Sequence, residues 1–145
     1  MNKYDIWLRR LVCLNGLFLL LAMVAIFLPT AVMASVHKWL GLGEFPSASI
    51  TIYLARSTSL LYAVHGFLTC FVAWKWSQYR ELVPLLAGMH IAMGLSMVGI
   101  DVAAKMPLYW TLLEGGPIAC FGVFLLWMYS KASRAKVSYS AGRGL

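Results

Sequence analysis

Residues 11–28 carry no charged side chain, and the runs 50–74, 82–104 and 108–129 are interrupted only by isolated ionisable residues. Backbone N–H and C=O groups placed in hydrocarbon must bond within their own segment, and a helix of about 20 apolar residues does so while crossing a ~30 Å layer. Four such runs in 145 residues leave little chain for anything else. The expected fold is therefore all-α: a polytopic membrane protein with four transmembrane helices in an up-down-up-down bundle. Residues 1–10 are then a cytoplasmic N-terminus, 11–129 the transmembrane domain, and 130–145 a basic, disordered cytoplasmic tail. Composition agrees, with 61% hydrophobic and 12% charged residues.

A competing reading of the first run is a secretory signal peptide, because Val32-Met33-Ala34 resembles a small-residue cleavage site. The apolar core exceeds the usual ~7–15 residues, so an uncleaved helix is expected; cleavage would leave three. Residues 30–49 contain His37, Lys38, Gly41, Gly43, Glu44 and Pro46 and are too polar and broken to span. Residues 31–42 are expected to form a short interfacial helix, with Trp39 at headgroup depth and His37 solvated. Pro84 and Pro107 suit helix openings, whereas Pro117 marks a kink or the true start of the last helix near Gly116.

The net charge of +7 does not point to nucleic acid, because the cations stand at the ends of apolar runs rather than on a polar face. They set orientation instead. Lys3, Arg9, Arg10, Lys75, Arg80, Lys131, Arg134, Lys136 and Arg143 would share one side, against Lys38, Arg56 and Lys105 on the other. The positive-inside rule puts both termini in the cytoplasm, with Trp74, Trp76 and Tyr79 as an inner aromatic belt and Tyr109 and Trp110 as an outer one. Cys13, Cys70 and Cys120 are odd in number and lack Cys-x-x-Cys spacing, so buried free thiols are expected rather than disulfides.

Ionisable groups inside apolar helices are candidate functional groups by default. His65 lies ten residues before Lys75 and His90 ten after Arg80. At about 1.5 Å per residue both imidazoles are expected about 15 Å above the inner boundary. Matching depth suits axial ligation of haem b, proton handling or substrate contact, and plain interhelical hydrogen bonding; all three stay open. Tyr62 joins Thr58, His65 and Thr69 in a polar stripe on the same helix. Arg56, Asp101 and Glu114 fall at heights of about 28, 31 and 25 Å by the same rule, an expected outer-face charge cluster. Asp101 and His90 share a helix face, whereas Arg56 and His65 do not.

Met89, Met93 and Met97 read as adaptable packing before copper ligation. Gly88, Ala92 and Ser96 form a small-residue face suited to close helix contact. No serine has a G-x-S-x-G setting, and no Walker, dinucleotide or His-Glu-x-x-His pattern occurs, so ordinary hydrolytic catalysis has no motif to rest on.

Tyr62-Ala63-Val64-His65-Gly66, Gly99-Ile100-Asp101, Met106-Pro107-Leu108-Tyr109-Trp110 and Glu114-Gly115 together resemble a pattern in small uncharacterised bacterial four-helix integral membrane proteins. The layout is also similar to DoxX-like proteins and to the haem-bearing anchors of respiratory dehydrogenases. This resemblance implies the bacterial inner membrane and transfers no site residue. The expected function is an accessory or anchor subunit, or a binder of an apolar partner, without catalysis of its own. Its expected partners are the lipid bilayer and other membrane subunits or further copies of the chain. Two alternatives stand beside it: a haem b or quinone-binding electron-transfer subunit through His65 and His90, and a small proton-coupled transporter through Arg56, Asp101 and Glu114.

Overall fold

The computed structural model describes the backbone of residues 2–141 and the side chains of residues 2–135. Among the described residues every regular element is helical: α1 Lys3–Leu20, α2 Ala22–Phe27, α3 Thr30–Trp39, α4 Ser49–Trp74, α5 Trp76–Tyr79, a 3-10 turn Arg80–Leu82, α6 Val83–Ala103, α7 Leu108–Leu113 and α8 Gly115–Ala141. Four stretches, Lys3–Phe27, Ser49–Trp74, Trp76–Ala103 and Leu108–Ala135, are long and apolar enough to cross a membrane.

Local chemistry sets the boundaries. Asn2 Oδ1 accepts the N–H of Asp5 at 2.8 Å and caps α1, whose first turn holds the acidic Asp5 itself. Pro29 stops the first long segment and opens α3, whose first turn bonds back to its carbonyl. At the end of α3 the Leu42 N–H donates to His37 O and the Gly41 N–H to Lys38 O, a Schellman cap with Gly41 at φ 75°. The same cap ends α6: Met106 N–H donates to Asp101 O at 2.9 Å and Lys105 N–H to Val102 O at 3.2 Å. There the left-handed position, φ 55°, is held by Lys105 instead of glycine. Pro107 follows and opens α7.

The expected last helix, 108–129, is divided. The chain leaves α7 through Glu114 at φ −97°, ψ −78°, and α8 restarts at Gly115, which places Pro117 in a first turn whose N–H groups need no helical partner. The disordered tail is corrected in part: α8 continues to Ala141, Ala132 is fully buried, and its carbonyl accepts Asn2 Nδ2 at 2.8 Å. The side chains of the remaining tail residues, 136–145, lie outside the described residues.

Contacts divide the chain into two units, residues 1–12 with 72–145 and residues 13–71. In the first, Leu8, Val12, Val83, Leu86, Ala87, Leu125, Met128 and Ala132 form the core. Here α6 and α8 touch through glycines: a Cβ on Gly94 would stand 2.5 Å from both Ala119 N and Gly115 O, and one on Gly122 2.6 Å from Ala87 O. Backbone contact of this kind brings many atoms to van der Waals distance and supplies attraction through dispersion. In the second unit α1 meets α4 the same way, with a Gly66 Cβ 2.8 Å from Gly16 O and a Gly16 Cβ 2.6 Å from Cys70 Sγ.

Two sequence expectations fail on burial. Gly88, Ala92 and Ser96 are exposed, so the contact face of α6 is Ala87, His90, Gly94 and Asp101. Trp76, expected in an aromatic belt, is buried in the core. Trp74 stays exposed, with Lys75 Nζ 4.6 Å from its ring centroid.

Candidate functional site: a buried carboxyl pair

The packed face of α6 carries its ionisable residues inward. Asp101 sits in the last turn of α6 at 5% exposure, and its Oδ2 is buried with no hydrogen-bond partner among the described residues. The break between α7 and α8 carries Glu114, whose carboxylate is near enough to that of Asp101 for the two to repel and accepts a hydrogen bond from the Trp110 side chain. Gly115 makes this approach possible, because its Cα lies where a Cβ would be 2.6 Å from Gly94 O and 2.9 Å from Val98 N. Thr111, one turn before the break, is also buried. Within this unit the ion pairs among described residues are Arg80–Asp5 and Arg80–Glu81, and neither includes Asp101 or Glu114.

His90 lies on the same face at 3% exposure. Its Nδ1 is 2.8 Å from Leu86 O and its ring meets Phe121 edge-on at 5.5 Å. A carbonyl can only accept, so Nδ1 carries the proton and Nε2 is the nitrogen presented away from its own helix backbone.

The other expected site residues belong to the unit of residues 13–71. His65 is half-buried, and its carbonyl accepts the Thr69 hydroxyl at 2.8 Å; Tyr62 is half-buried and Thr58 exposed, so the polar stripe does not form one inward face. Arg56 is exposed, with Nη2 donating to Leu28 O at 3.3 Å. His37, expected to be solvated, bonds through Nδ1 to Gly43 O at 3.1 Å and meets Phe45 edge-on. No group of three or more His, Cys, Asp or Glu side chains among the described residues could hold a metal ion.

One constellation escaped the sequence. Arg80 donates from Nε to Asp5 Oδ1 at 2.7 Å, from Nη1 to Glu81 Oε1 at 2.9 Å and from Nη2 to Ser133 Oγ at 3.0 Å. Its guanidinium lies 4.7 Å from the centroid of Tyr129, whose hydroxyl donates to Glu81 Oε2. With Arg9 Nε donating to Ala73 O at 2.9 Å, this clamp ties the start of α1 to the α4–α6 turn and to α8. The available signal was Asp5, a lone acid in an otherwise basic N-terminus. The fixed fork of arginine suits such multidentate bonding.

No family model matches the chain, and neither the curated proteins nor the solved structures compared with it include a significant match.

Proposed function

We propose that the chain is a small multi-pass protein of the bacterial inner membrane, both termini cytoplasmic, that moves protons through the Asp101–Glu114 pair. The single observation behind this reading is the carboxyl pair itself: Asp101 Oδ2 is buried without a partner beside a second carboxyl group, in helices long and apolar enough to span a membrane. An acid kept in such surroundings is costly, and a proton relay is the use that its chemistry serves. The Arg80 clamp supports the assigned division of labour, because it spends Asp5, Glu81 and Arg80 on holding one end of the helices and leaves the α6–α8 junction as the acidic end. Four helices enclose little space for a path, so the protein works as a homo-oligomer or as an accessory subunit of a larger membrane assembly.

The test is proton flux into liposomes carrying the purified protein, driven by a potassium diffusion potential and read with an entrapped pH dye. The parent is expected to exceed protein-free vesicles, and Asp101→Asn to fall back to their rate. Equal flux in parent and Asp101→Asn removes Asp101 from the mechanism. A second reading, haem b ligation, draws support from His90, a buried histidine on the packed face of α6 whose Nδ1 donates to Leu86 O, the kind of backbone bond that fixes the tautomer of a ligating imidazole.

A further inference from the structure

The outward face of α8 is built differently from its packed face. Leu125, Met128 and Ala132 point into the core, while Val123, Leu126, Trp127, Ser130, Lys131 and Arg134 line a groove of about 420 Å³. Along the helix the lining changes character once: apolar from Val123 to Trp127, then hydroxyl and cationic from Ser130 to Arg134. These residues recur at three- and four-residue steps, which is one face of a helix. Trp127 stacks on Phe124 at 5.7 Å and 25°, and Lys131 Nζ stands 5.8 Å from the Trp127 ring centroid, so the first cation is held over the end of the apolar stretch.

Among the described residues no acidic side chain lines the groove. Asp5 and Glu81, acids of the same unit, are both bound to Arg80. Lys131 and Arg134 therefore present two uncompensated charges at the end of an apolar trough. Nucleic acid and soluble anions would have no use for the trough, and a neutral lipid would have no use for the cations. We propose that this groove binds an anionic phospholipid, with its phosphate between Lys131, Arg134 and the Ser130 hydroxyl and one acyl chain along Trp127, Leu126 and Val123. The inference rests on the membrane reading above and on the charge complementarity of this face; it is independent of the carboxyl pair. Basic side chains near an anionic membrane surface contribute about a fivefold preference each, so losing both cations should lower it about 25-fold.

The experiment uses the full chain in nanodiscs of phosphatidylcholine containing a minor fraction of phosphatidylglycerol with a brominated acyl chain. The parent should enrich the anionic lipid in its annulus, read by native mass spectrometry, and its tryptophan fluorescence should be quenched by the brominated chain. Lys131→Ala/Arg134→Ala should lose the enrichment about 25-fold while keeping parental helicity by circular dichroism, and Trp127→Phe should lose the share of the quenching that Trp127 contributes among the six tryptophans but keep the enrichment. Equal enrichment in the parent and the double variant would overturn the headgroup site; unchanged quenching in Trp127→Phe would overturn the acyl trough. Displacement of the lipid by inorganic phosphate at millimolar concentration would show a soluble-anion site and also overturn the proposal. Failure of the parent to enter nanodiscs would defeat the membrane reading itself, a result distinct from insertion without lipid preference.

Discussion

Replacing Gly94 by alanine adds one methyl group where α6 and α8 touch. Its Cβ would stand 2.5 Å from Ala119 N and Gly115 O, about 1 Å inside ordinary contact, and both obstacles are backbone that no rotamer change can move. The helices must separate, at a cost of about 1–3 kcal/mol for overpacking. Against this, alanine is the better helix former by about 1 kcal/mol. Gly88, on the same helix, isolates the second effect, because nothing lies within 4 Å of a Cβ there. Gly88→Ala is therefore expected to stabilise by up to about 1 kcal/mol, and Gly94→Ala to lie about 1–3 kcal/mol below it, roughly 5- to 150-fold in the folding equilibrium constant. Steric-trap unfolding in detergent micelles measures both on one scale. The reasoning fails if the two variants unfold at the same point, since helix propensity would then account for everything and the α6–α8 backbone contact for nothing.

Lys105→Gly should stabilise by roughly 0.5–1 kcal/mol in the same assay, because glycine holds the left-handed φ of 55° at the end of α6 without the crowding that a Cβ brings; a loss of stability would mean that the lysine side chain matters more than its backbone. Arg80→Gln strips the charge from beside Asp5, whose side chain is 13% exposed, and should cost about 3 kcal/mol, whereas Arg10→Gln at an exposed site should stay within about 0.5 kcal/mol. Haem ligation by His90 requires that protein expressed with a haem supply show Soret and α bands that respond to dithionite and disappear in His90→Ala; their absence from the parent would close that reading.

The four long apolar runs were legible because length and lack of charge decide the matter without tertiary information. Their internal breaks were less so. Pro117 pointed to the division of the last helix, but the break itself falls at Glu114, where the chain needs an irregular residue to bring a carboxyl group against Asp101. The Lys105 cap gave no signal, since glycine is the residue that normally announces it. Two small-residue stripes compete on α6, and the sequence favoured Gly88, Ala92 and Ser96 over Ala87 and Gly94; only the position of Gly115, Ala119 and Gly122 on α8 chooses between them. Asp101 and His90 stood out as ionisable residues in an apolar run, and burial places both on the packed face. In the sequence Arg80 has the look of an orientation charge, because its partner Asp5 is 75 residues away and no local spacing connects them. The tail misled through its charge: Lys131, Ala132, Arg134 and Ala135 are good helix formers, and α8 simply continues through them.

Proton movement through Asp101 and Glu114, the proposed function, requires that the pair hold an exchangeable proton. Infrared spectroscopy of the reconstituted protein across a pH jump, in light and heavy water, reads this directly, because a protonated carboxyl group has a C=O stretch that a carboxylate lacks and that shifts on deuteration. The account predicts one such band at neutral pH in the parent, lost on raising the pH and absent from Asp101→Asn and from Glu114→Gln. A parent with no protonated carboxyl band at neutral pH, or a band that survives in both variants, would contradict it.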